Sequence, residues 1–153
     1  MATLTAAIKA ALTGTAAWTS LVTGGTLLTD DLGKNGLQPD DLSYDNDGVM
    51  KLTAMITWSS GGAAEVVHST QRRFFYIRLF ADPTNGWANL RAAQRLLRLP
   101  VYESGVLHRR QVQTDTEGHA LIHWVSPGPE FYDEPLGGAA ASFERFYAEY
   151  RQR

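Results

Sequence analysis

The sequence predicts an α+β fold, a mainly antiparallel sheet with N-terminal helices and one central helix packed on it. Three observations carry this. Helical periodicity opens the chain and returns once in its middle. Period-two alternation fills the segments around that middle helix. The resulting order is helix, helix, loop, strand, strand, helix, strand, strand, strand. With 153 residues, 44% of them hydrophobic and 20% charged, one domain spanning 1–153 is expected, with a core that needs neither disulfide nor metal.

From Thr3 to Leu12 the chain is mostly alanine, with Leu4, Ile8, Ala11 and Leu12 on one stripe, Thr3 or Thr5 as N-cap and Gly14 as the stop. A second helical turn over Thr15–Val22 carries Trp18, Leu21 and Val22 and closes at Gly24-Gly25. These helices present too narrow an apolar face to stand alone, so they must pack on a sheet. A short strand near Thr26–Leu28 leads into a long loop over about 30–48, rich in Asp, Asn and Gly. Connections of that length are usually functional or disordered, so contact with a partner is expected of this one.

Lys51–Ser60 reads as a strand with Leu52, Ala54, Ile56 and Trp58 on one face and Thr53, Met55 and Thr57 on the other, broken by Gly61-Gly62. Thr70–Ala81 alternates Arg73, Phe75, Ile77 and Leu79 against Phe74, Tyr76, Arg78 and Phe80, a strand covered on both faces or half-exposed at an interface. Asp82-Pro83 is a helix-start signal, and the helix is expected to run to about Leu99 with Trp87, Leu90, Ala93, Gln94 and Leu97 buried. Val106–Val112 and Ala120–Ser126 read as paired strands around the Thr114–Gly118 turn, and Pro127-Gly128-Pro129 opens a loop. Ser142–Tyr150 fits both periods: Phe143, Phe146, Tyr147 and Tyr150 make a helical stripe, while the aromatic content suits a strand.

Composition removes several chemistries. Without cysteine there is no thiolate nucleophile, Cys-based zinc site or iron-sulfur cluster. His119 and His123, in a strand, share a face but stand about 13 Å apart, too far to share a metal. Asp45-Asn46-Asp47-Gly48 starts like a calcium loop, but Ser43 would be its first ligand and Ala54 its twelfth, so a type I′ or similar turn is expected instead. No phosphate-loop, dinucleotide or nucleophile-elbow pattern occurs. Asp30-Asp31, Asp40-Asp41 and Asp133-Glu134 read as solvated loop carboxylates. The expectation is therefore no catalytic residue, no cofactor and no metal site. No apolar run approaches the roughly 18 residues of a membrane span, and Met1–Val22 lacks the pattern of a signal peptide. An intracellular or virion protein with no membrane partner is expected.

The net charge of -2 is segregated: -4 over residues 1–50, +6 over 51–110 and -4 beyond. These blocks either pair within one subunit or meet between neighbouring copies. The negative total argues against direct nucleic-acid recognition by the Arg91, Arg95, Arg98 stripe.

The segments LTAAIKAALTGTAAWTSLVTGG, QRRFFYIRLFAD, GWANLRAAQRLLRL and HALIHWVSPGPEFYDEPLGGAAASFERFYAEYR resemble, in pattern and order over most of the chain, the tail terminator proteins of long-tailed bacteriophages and gene-transfer particles. The resemblance implies a final strand over the ambiguous Phe143–Tyr150 stretch. It also implies a structural virion protein: a homohexameric ring capping the head-proximal end of the tail tube, ending its polymerisation and joining it to the neck. Its partners would then be itself, the tail tube protein and a neck or connector protein, with DNA passing through unrecognised. A head-tail connector or tail-completion protein is the alternative, and a small enzyme or binding module the third reading. A closing ring needs a head-to-tail contact. For it the candidates are acidic Asp30, Asp31, Asp40 and Asp41, reaching a neighbour, and basic Arg72, Arg73 and Arg78 or Arg91, Arg95 and Arg98. Phe131, Tyr132, Asp133 and Glu134 form a second contact candidate, or a loop whose aromatics cap the subunit's own core.

Overall fold

The computed structural model describes residues 3–32, 36–58, 64–67, 70–114 and 118–151. It shows an α+β domain. Helix α1 is Leu4–Thr13, started by the Thr3 hydroxyl, which accepts from the Ala6 N–H at 3.2 Å. Helix α2 is Ala16–Leu21, and its Trp18 is fully buried with the indole N–H donating to Thr26 Oγ1 at 3.0 Å. That bond ties the helical hairpin to strand β1, Thr26–Leu28. Strands β2 (Thr53–Trp58), β3 (Ala64–Val67) and β4 (Thr70–Ala81) follow, then helix α3 (Trp87–Arg98). Strands β5 (Gln111–Thr114), β6 (Gly118–Pro127), β7 (Phe131–Asp133) and β8 (Ala139–Arg151) complete the domain.

The sheet runs β1-β2-β4-β8-β6-β5, with only β1–β2 parallel. Strand β3 pairs the 70–73 end of β4 beyond β2, and β7 pairs the 139–141 end of β8 beyond β6. The ambiguous C-terminal stretch is thus strand β8, paired with β4 along twelve residues. Its alternation settles everything else: Glu144, Phe146, Ala148 and Tyr150 face the helices and are buried, which leaves Phe143, Arg145 and Tyr147 on the opposite face.

Each face has its own core. Leu4, Ile8, Leu12, Trp18, Leu90 and Leu97 of the helices pack on Ile56, Phe75, Ile77, Leu79 and Phe146 of the sheet. On the other face, residues 29–32 and 36–50 fold back over one end of the sheet. Leu42 and Met50, with Leu32 and Leu37 beside them, bury Met55, Phe80 and Ala141. The expected loop is therefore an anchored excursion with 3-10 turns at Thr29–Asp31 and Pro39–Asp41.

Three expectations are corrected. The helix begins at Trp87, because Asp82 Oδ2 accepts from the Thr84 and Asn85 N–H groups and closes a separate turn. That turn is so tight that a Cβ on Gly86 would lie 2.5 Å from backbone atoms of Asp82. Val106–Arg110 is not strand: Arg109 is left-handed at φ 68°, and the Arg110 N–H turns back to the Leu107 carbonyl at 2.9 Å. Of the expected type I′ or similar turn over Asp45–Val49 the similar form is found: the Gly48 N–H donates to the Asp45 carbonyl at 3.1 Å, Asn46 and Asp47 keep negative φ and Gly48 is positive, at 76°. Strands β3 and β7 were not expected at all. The Gly61-Gly62 break and His68 lie outside the described residues.

Candidate assembly surface

The excursion covers only one end of its sheet face. Beyond Met55 and Phe80, the face continues through Thr57, Arg78, Tyr76, Phe143, Arg145, Phe74 and Tyr147, and among the described residues no helix or strand packs over it. Tyr76 and Phe143 meet edge-on at 5.2 Å, and Phe74 and Tyr147 tilt together at 5.6 Å. The Arg145 guanidinium lies 5.5 Å over Tyr76, and that of Arg72 5.1 Å over Tyr147. A cleft of about 360 Å³ opens between Thr57, Trp58, Tyr76, Arg78, Phe131 and Phe143. Flat aromatic area with guanidinium groups above it is the chemistry enriched at interface centres.

The predicted residues separate into two sides. Arg72 lies 3.8 Å from Glu149 and Arg78 4.0 Å from Asp133, both on the open face. Arg73 points to the helix side, 4.0 Å over Trp58. Arg91, Arg95 and Arg98 also lie on the helix side, in a cleft of about 590 Å³ with Gln94, Gly128 and Glu130. There Arg91 grips Glu130 through bonds of 3.0 and 3.3 Å, and Arg98 grips Glu144, its Nη2 3.3 Å from Oε2. Among the described residues, Arg95 alone in that stripe is exposed and without an ion pair. The stripe and the open face cannot serve one contact, because the sheet lies between them.

Asp30, Asp31, Asp40 and Asp41 are all exposed. Asp41 caps its own turn, with Oδ2 2.8 Å from the Gln38 N–H. Phe131 packs into the core under the excursion, so the reading as a cap on the subunit's own core holds for it. Tyr132 is 57% exposed and meets Trp87 edge-on at 5.7 Å on the other side. Glu134 is exposed in the 3-10 turn of residues 134–136. Sequence reasoning did not single out Arg145, Tyr76 or Phe143 as a group. Their signal is the cross-strand register Tyr76↔Arg145 and Arg78↔Phe143, which exists only once β8 is known to be a strand.

Burial pushes the Glu144 carboxyl above its ordinary value of 4.5, while the hydrogen bond and charge of Arg98 pull it back. At the other flank, the backbone N–H of Trp124 donates to His108 Nδ1 at 2.9 Å, so this imidazole must be neutral to accept. His123 stacks on Tyr147 at 4.7 Å and reaches toward Glu149, 3.7 Å from Nε2. Burial lowers both histidines from 6.5. For His108, Arg109 and then His123 add to this; for His123, Glu149 opposes it while Arg109 and Arg72 add. An unfolded chain then binds more protons than the folded one below about pH 6.5, so the contribution to stability is full above that value and declines as pH falls through the lowered folded values. Urea midpoints at about pH 7.5 and 5.5 should show the loss, and His123→Asn should shrink it. An unchanged pH dependence in that variant would remove His123 from the explanation.

No group of three or more His, Asp or Glu side chains among the described residues converges to hold a metal. Nor is any described helix long and apolar enough to cross a membrane. Fold and surface together define a class: a small α+β domain with two cores and one uncovered aromatic, arginine-rich sheet face. The chain matches no protein-family model, and no curated protein matches it.

Proposed function

We propose that the chain is a tail terminator, a structural virion subunit that assembles as a ring on the head-proximal end of a tail tube, stops its growth and joins it to the neck. The observation that carries this reading is the open sheet face: beside its two cores the domain leaves Tyr76 and Phe143 half-buried on one sheet face, with Arg145 exposed over them. Such a surface suits a permanent neighbour better than water. The order of segments along the chain, which resembles that of tail terminators, supports the same reading. No catalytic role is assigned, and DNA would pass the ring without sequence readout.

Tube protein polymerised with and without this chain tests the proposal. Added protein should yield capped tubes that stop elongating, whereas tubes growing equally long in its presence would contradict the function. A ring found in the neck away from the tube end would instead make the chain a head-tail connector.

A further inference from the structure

The two halves of one sheet face carry opposite charge. At one end the excursion presents Asp30, Asp31 and Asp40, all exposed and none in an ion pair among the described residues. Along β4, from Phe80 to Tyr76, the open half begins about 13 Å away by the strand rise. There Arg145 is exposed with no carboxylate partner among the described residues, and Arg78 reaches Asp133 only at 4.0 Å.

We infer that the open half is the seat for the acidic excursion of a second copy of this chain. The inference rests on the ring reading for its biological setting and on charge complementarity for its occupant. The same subunit cannot satisfy its own arginines, because Leu32, Leu37 and Leu42 pin the excursion over Met55 and Phe80. Asp30, Asp31 and Asp40 sit in the 3-10 turns at Thr29–Asp31 and Pro39–Asp41, whose backbone the leucine anchors hold against the sheet. Arg78 lines the cleft and Arg145 stands over its Tyr76, so both can donate there, and Tyr76 and Phe143 supply its apolar floor. A nucleic-acid strand is disfavoured as occupant, because a phosphate backbone crossing this face would run into the adjacent aspartates.

The pairing is compatible with two symmetries. A twofold axis would place each acidic end on the other copy's open half, and a head-to-tail ring would use the same pair once per neighbour. The size of the wild-type assembly separates these symmetries, and charge reversal tests the pairing itself. In sedimentation of the full chain, Arg78→Glu/Arg145→Glu and Asp30→Arg/Asp31→Arg should each weaken self-association about tenfold or more, and mixing the two variants should restore it. Arg145→Glu alone, at an exposed position, guards against a fold defect in the double variant. Unchanged association in both reversed variants would overturn the inference while leaving the ring reading intact. A wild-type chain that stops at a dimer, broken by both reversals, would keep the inference and remove the ring. No association alone or on tubes would overturn both. An oligothymidine probe bound at physiological salt and lost in Arg78→Glu/Arg145→Glu, with self-association unaffected, would assign the face to nucleic acid and overturn the inference.

Discussion

Truncating Phe146 to alanine should lower the unfolding free energy by about 3–5 kcal/mol, the range for deleting a buried aromatic side chain. Phe146 is fully buried and stacks on Phe75 at 5.4 Å, with an interplanar angle of 12°. The strands of this pair are central, so nothing mobile lies nearby to collapse into the space. For a domain of this size the melting temperature should fall by roughly 10 °C. One residue away, Arg145→Glu should leave stability within the scatter of surface substitutions. The contrast measures the alternation of β8 directly. If Arg145→Glu destabilised the chain as much as Phe146→Ala does, the two faces would be wrongly assigned.

Arg98→Ala is expected to cost about 3 kcal/mol, the low end for stranding one partner of a buried ion pair. The low end applies because the Arg98 side chain is 39% exposed and water can partly replace it, whereas Glu144 is 0% exposed. In the variant the Glu144 carboxyl should rise further above 4.5, since burial would then act without its main opposing charge. The sign follows: a raised folded value means the folded chain binds more protons, so the deficit should be smallest below about pH 4.5 and grow as pH rises. Arg98→Met/Glu144→Leu should recover most of the loss, because an apolar pair needs no solvation. Chemical denaturation at several pH values checks both statements. A single variant as stable as the parent would mean that Glu144 is solvated.

How far the sequence could be read depended on period and length. Helix α1, strand β4 and the buried stripe of α3 each hold one periodicity over ten or more residues, and all three stand. Strands β3 and β7 have four and three residues, too few for alternation to be visible. The excursion looked unstructured because Asp, Asn and Gly dominate it. Its anchors Leu27, Leu32, Leu37 and Leu42 recur every fifth residue, a spacing that matches neither helix nor strand, yet all four pack into one core.

The surface was less legible than the fold. An arginine in a sequence does not reveal which carboxylate it will find. Arg98 finds Glu144 across 46 positions, and Arg91 finds Glu130 across 39. Among the described residues, pairing within the subunit therefore accounts for Arg72, Arg91 and Arg98 and holds Arg78 only loosely, at 4.0 Å from Asp133, while Arg145, Arg95 and the aspartates of the excursion carry no ion pair. Arg145 could have been singled out only after β8 was known as a strand, since alternation then sets it opposite buried Glu144 and Phe146.

The central claim is that copies of this chain close into a ring at the end of a tail tube. Imaging assembled particles that carry a label on this subunit tests it most directly. Several copies in one closed ring at the head-proximal end of the tube are expected. A single unpaired copy, or label spread along the tail, would contradict it.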